Sequence, residues 1–238
     1  MKQIKDQIEK VFFNSFNETC KFLKIDNDVA FLEDSFTGIV RTRTTAELCS
    51  AMIKLQKLNK KNCNDEIKKI VNWLIIKQNK DGSWNETHVN YDNPSSVFTA
   101  ICGLTLFEAY KENLDIQIPK KVLDDAANFL IKQEIKDGHF KKSEHYHADV
   151  LNADAMVSTF LINYGINQDN QEYIESAKRG LKNIISQQKD DGEFPYGSKI
   201  AQYPYKHHLD VPCIHYQTVT LYYLDKCSDK IPDNELKN

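Results

Sequence analysis

The sequence predicts an all-α protein: about four helical hairpins, each with an outer and an inner helix. Three observations carry this. A stretch that ends a helix in Gln and runs on to Asp-Gly and an aromatic ring is written three times. The copies are KQNKDGSW (Lys77 to Trp84), KQEIKDGHF (Lys132 to Phe140) and QQKDDGEF (Gln187 to Phe194). An amphipathic segment precedes each copy, and a segment apolar on most sides follows it. The glycines Gly82, Gly138 and Gly192 stand roughly 55 residues apart, the self-similarity that marks a repeat architecture.

Taken in order, TTAELCSAMIKLQKL (44–58) reads as the first inner helix, with a worn outer partner in the first 30 residues. The outer helix 66–79 follows, because Ile67, Ile70, Val71, Leu74 and Ile75 recur at i, i+3, i+4, i+7 and i+8. SSVFTAICGLTLFEAY (95–110) is the next inner helix, apolar all round and therefore buried. Outer helices at 121–133 (Val122, Ala126, Phe129, Leu130) and 174–188 (Ala177, Leu181, Ile184, Ile185) alternate with inner ones at 153–165 and 214–224. Each Asp-Gly is expected to stop its outer helix, since glycine accepts the left-handed backbone of a C-terminal cap. The ring at Trp84, Phe140 or Phe194 then folds back on the helix just ended. No long stretch alternates as a strand, and the few Pro and Gly fall between helices. Residues 1–238 therefore read as one repeat domain, clearest over 60–225.

With 238 residues, 41% of them hydrophobic, the chain is long enough for a sizeable core. A net charge of -3 gives no basic field for nucleic acid. No apolar run approaches the roughly 18–20 residues of a membrane span. The N-terminal stretch has neither the apolar core nor the cleavage site of a secretory signal. Six scattered cysteines with no CxxC pair point to reduced thiols, so a cytoplasmic protein is expected.

Gln, a short spacer and Gly-x-aromatic at the end of a helix, repeated along the chain, resembles the QW-type repeat of terpenoid cyclases and protein prenyltransferases. The resemblance implies an α/α toroid, with inner helices around a central cavity and outer helices around them. This chain has room for eight or nine helices where a full toroid has about twelve. The toroid is then partial, or is closed by a second copy or a partner subunit. The resemblance also implies an apolar, isoprenoid-like substrate in the cavity. In protein prenyltransferases a zinc is held by an Asp and a Cys beginning one inner helix and a His beginning a later one. This sequence is similar at His215, but has Asn152 and Asp154 where that family has Asp-x-Cys.

The residues themselves point to the loops entering the inner helices. HYHADVLNADAM (145–156) and YPYKHHLDVPCIHYQT (203–218) share His147-Ala-Asp149-Val150 and His208-Leu-Asp210-Val211. Asp154 and His215 each follow the shared Asp by five residues. They are expected to converge at one end of the cavity, with Asp154, Cys213 and His215 as ligand types suited to Zn²⁺. The alternative, acid–base chemistry on a carbohydrate as in toroid epimerases and lyases, draws on His207, His208, His215, Tyr203, Tyr205 and Asn152. His147, Asp149, Asp154 and Asp210 complete the candidate catalytic residues of these two loops. Arg41 and Arg43, ahead of the first inner helix, then suit an acidic sugar. No Asp-x-Asp-Asp run supports protonation of an alkene, though Tyr203, Tyr205, Tyr216, Tyr222 and Tyr223 supply rings for cation–π contact. A non-catalytic subunit completing a partner's toroid is the third class.

Overall fold

Seven of eight described helices alternate between two layers in a computed structural model of the chain, which describes residues 2–88, 90–112, 114–136, 138–143, 150–197 and 213–230. The outer helices are α3 (Asn64–Lys77), α5 (Lys120–Lys132) and α7 (Gln171–Ser186), while α1 (Lys2–Cys20) runs along the groove described below. The inner ones are α2 (Thr42–Lys57), α4 (Ser96–Lys111), α6 (Leu151–Gln168) and α8 (Ile214–Asp225). Inner helices pack side by side in the order α2, α4, α6, α8, and α2, α4 and α6 each carry the following outer helix on their backs. Short connections make each such pair antiparallel, so the inner helices share one direction and begin at one end of the array. This is the expected α/α toroid in partial form. The buried side chains form one continuous core, and α4 and α6, central in the inner layer, are buried along nearly their whole length.

The repeated turn works differently from a helix cap. Helix α3 ends at Lys77, and Gln78 is already extended. The chain then closes a separate turn in which the Gly82 amide donates to the Asn79 carbonyl at 3.0 Å. The third copy repeats this from Gly192 to Lys189 at 2.9 Å. The glycines have φ of +92°, +93° and +89°, beyond the left-handed helical region and open only to a residue without a side chain. The expected positive φ is therefore present, but the glycine sits past the helix end. All three rings, Trp84, Phe140 and Phe194, are buried. The first folds back as expected, its indole donating to the Leu74 carbonyl of α3 at 2.8 Å, whereas the Phe140 ring lies beside Gly180 of α7.

Two expectations are corrected. Short antiparallel hairpins lead into three inner helices: β1 (Leu23–Asp26) with β2 (Val29–Leu32), β3 (Trp84–His88) with β4 (Tyr91–Ser95), and β5 (Glu134–Lys136) with β6 (His139–Phe140). The strands are too short for a period of two to show in the sequence: β2 does alternate, with Ala30 and Leu32 buried, but over four residues only, while β3 and β4 are largely polar. Helix α8 is only half buried, with Ile214, Leu221 and Tyr222 exposed. It packs on α6 at the edge of the layer, and no described outer helix covers it.

Candidate functional site

Each inner helix uses its fourth residue to hold the strand or turn before it. The backbone amides of Leu32, Trp84, Phe140 and Phe194 donate to Thr45, Thr99, Asp154 and Gln217 at 2.9, 3.0, 2.9 and 3.0 Å. Asp154 therefore occupies a repeated anchoring position. It has no exposed surface, and its other oxygen meets the Asn183 amide at 3.3 Å and the His139 ring at 3.6 Å. The counterpart of Asp154 on α8 is Gln217, two residues beyond the expected His215. His215 matches Asn152, since each is the second residue of its helix. The shared His-x-Asp-Val placed the two helices out of register by two residues.

His215 is exposed at the start of α8, with its ring against Tyr216 at 5.2 Å, and Cys213 is half-buried just ahead of it. Among the described residues no three His, Cys, Asp or Glu side chains gather closely enough to hold a metal ion. Asp154, Cys213 and His215 are all described, so that set does not fit zinc. His147, Asp149, Tyr205, His208 and Asp210, with Tyr203 and His207, lie outside the described residues. Arg41 turns away from the cavity to pair with Asp34 at 2.6 Å. It holds that carboxyl well down, at about 2, with help from the amides of Thr37 and Phe36.

A second stripe, at positions two, six, nine, ten and thirteen of the inner helices, faces the middle of the array. On α2 it reads Arg43, Glu47, Ser50, Ala51, Lys54, and on α8 its last four positions read Val219, Tyr222, Tyr223, Lys226. With Ile101, Leu104, Thr105 and Glu108 at the same positions of α4, these line an open groove of about 820 Å³. Helix α1 flanks it through Ile8, Phe12 and Phe13.

The polar groups of the stripe are organised across helices. Glu108 accepts from the Ser50 hydroxyl at 2.5 Å and from the Lys226 ammonium at 2.7 Å. Lys54 donates to the Tyr222 hydroxyl at 2.7 Å, and Arg43 pairs with Glu47 at 2.9 Å. Burial works against the Lys226 charge, but the Glu108 carboxylate and Tyr222 outweigh it, so the amine titrates above its ordinary value. Burial pushes the Tyr223 hydroxyl up, and the nearby Glu47 charge adds to this. Tyr223 is thus a neutral donor and Lys226 a fixed cation near neutral pH. The sequence reading placed Arg43 and the tyrosines at the cavity but missed Glu47, Ser50, Lys54, Glu108 and Lys226. The available signal was Glu108, the one ionised residue in 95–110, together with polar residues at i, i+4, i+7 and i+11 from Arg43.

No protein-family model and no curated protein matches the chain. Solved structures do. A reducing-end xylose-releasing exo-oligoxylanase aligns over 80% of this chain and 58% of its own, at 13% identity and a TM-score of 0.54. A second structure of such an enzyme gives 82%, 58%, 15% and 0.54, and a single-site mutant 82%, 58%, 14% and 0.56. The chain spans less than two thirds of those proteins. At such identity the likeness establishes the fold, an α/α toroid.

The expectation of a prenyltransferase- or cyclase-like enzyme with an apolar substrate is corrected by these comparisons, because the toroids this chain resembles are oligoxylanases. The groove itself is mixed: five basic and three acidic side chains stand among apolar ones such as Ile8, Phe12, Leu55, Ile101 and Leu104. The repeated turn misled because it reports how outer helices stack, and a packing device says nothing about the ligand. None of the described helices is long and apolar enough to cross a membrane.

Proposed function

We propose that this protein is a carbohydrate-active α/α toroid that takes an oligosaccharide along the groove of its inner helices. The observation that carries the reading is the in-register stripe of hydroxyls, carboxylates, ammonium groups and tyrosine rings on α2, α4 and α8. A sugar chain offers many hydroxyls, each donor and acceptor, with apolar ring faces between them. Ser50, Glu108, Tyr222 and Tyr223 supply the matching hydrogen-bonding groups, and tyrosine pairs them with an apolar body.

Acid–base chemistry belongs to the end where the inner helices begin. Cleavage of a glycosidic bond asks for two carboxyl groups, one as acid and one as base or nucleophile. Asp149 and Asp210 share the His-x-Asp-Val pattern, two residues ahead of α6 and four ahead of α8, and we assign them that pair. His147, His208, Tyr205 and the exposed His215 are the further candidate proton-transfer groups in the sequence leading into these helices. Asp154 is left out because it anchors Phe140, and no step is routed through a metal.

Incubation of the full chain with xylo-oligosaccharides and with uronate-containing oligosaccharides, followed by chromatography, tests the reading. New products that disappear in Asp149→Asn and Asp210→Asn support it. Neither product nor binding across both sets ends it.

A further inference from the structure

Resting on the carbohydrate reading, we infer that the Lys54–Tyr222 pair in the groove is a carboxylate subsite, so that the oligosaccharide taken there is acidic. Three of the five cations lining the groove are matched by its three acids: Arg43 by Glu47 at 2.9 Å, Lys60 by Glu9 at 2.9 Å and Lys226 by Glu108 at 2.7 Å. Lys54 and Lys5 are left over. Lys5 sits on α1, where its charge acts on Glu9. Lys54 stands at the thirteenth position of α2, level with Glu108 on α4 and Lys226 on α8.

The partner of Lys54 is neutral. Its ammonium donates to the Tyr222 hydroxyl at 2.7 Å and lies 5.3 Å from the centre of the Tyr222 ring. A hydroxyl oxygen that accepts this bond keeps its own proton for another acceptor. Lys54 likewise keeps further N–H donors. Both side chains are exposed and line the same space. The result is two donors on different helices, 2.7 Å apart, with an unmatched positive charge. Lys226, 5.0 Å from the same ring, adds to the positive potential although Glu108 engages it.

A sugar hydroxyl can accept from both donors but leaves the charge unmatched. The two oxygens of a carboxylate satisfy both donors and the charge, and charge-assisted hydrogen bonds are about twice as strong as neutral ones. A uronate-type group on the oligosaccharide is therefore the chemistry this pair selects.

Calorimetry on the full chain tests this with three probes: a neutral xylotetraose, the same tetraose bearing one glucuronosyl branch, and free glucuronate. At low salt the branched probe is expected to bind about tenfold tighter than the neutral one, with the advantage shrinking as salt is raised. In Lys54→Met the advantage is lost, in Lys54→Arg it persists, and in Tyr222→Phe it narrows to about threefold. Melting curves matching the wild type show that the variants fold. Equal affinity for neutral and branched probes, or an advantage that survives Lys54→Met, overturns the inference and leaves the carbohydrate reading standing. Free glucuronate binding as tightly as the branched probe reduces the subsite to a bare anion site and also overturns it. If none of the three binds, both readings fall.

Discussion

The first two Asp-Gly turns and the third share a sequence signature but not an environment. A side chain placed on Gly82 would lie 2.1 Å from the Asp125 carbonyl oxygen of α5, and one on Gly138 would lie 2.3 Å from that of Arg179 in α7. At Gly192 the nearest atom is the end of Gln188, 3.9 Å away. The side chains follow suit. Gln78 reaches from its own turn at Gly82 to the Val122 carbonyl of α5 at 2.8 Å. Glu134 accepts from the Gly138 amide at 2.9 Å and clamps Arg179 of α7 at 2.7 Å. Gln188 bonds Gly192 at 2.9 Å, with no described bond to a further helix. In the first two turns the motif fastens one outer helix to the next. The third has kept the motif without a neighbour to fasten among the described residues.

The largest expected effect follows from that contrast. Gly82→Ala and Gly138→Ala should each cost about 3 kcal/mol or more, combining backbone strain with a clash against main chain that cannot move aside. Gly192→Ala should cost about 1 kcal/mol, from backbone strain alone. Urea unfolding of the three variants separates the cases, and equal losses would remove the distinction between packed and open turns.

Asp154→Ala comes next, at about 3 kcal/mol, because it leaves the sealed Phe140 amide without its acceptor. Gln217→Ala, at the half-buried equivalent, should cost about 1 kcal/mol. Asp154→Thr should recover part of the loss, since Thr45 and Thr99 hold the same position in the first two hairpins. A threonine variant no better than alanine would show that Asp154 does more than anchor.

Trp84→Phe should cost about 2 kcal/mol from the indole bond to Leu74 and the space left behind. The smallest effect lies at Asp34, which is held down to about 2 by Arg41, from an ordinary value of 3.8. A lowered carboxyl stabilises the fold above its unfolded value and loses that contribution as pH falls through the folded one. Stability curves of the wild type and Asp34→Asn should therefore differ above about pH 4 and converge near pH 2. Parallel curves over that range would count against the ion pair.

Helix positions, the alternation of layers and the positive φ of three glycines were legible because each is set within about one repeat of chain. Apolar period, a turn glycine and an aromatic ring act on their immediate neighbours, so they can be read from spacing alone. The register between distant hairpins was not legible. His-x-Asp-Val matched His215 to Asp154, whereas the fold matches Gln217 to Asp154, because the length of each entering loop shifts the start of the helix. Nor did the sequence show that Arg43, Glu47, Ser50, Lys54, Glu108 and Lys226 line one groove. Their chemistry exists only across helices, as Glu108 between Ser50 and Lys226, or Lys54 against Tyr222 from 168 positions away. By itself the sequence determined a layered helical repeat. The tertiary structure decided which residues of that repeat meet, because side-chain partnership depends on distance in space, which only the packing of α2, α4 and α8 sets.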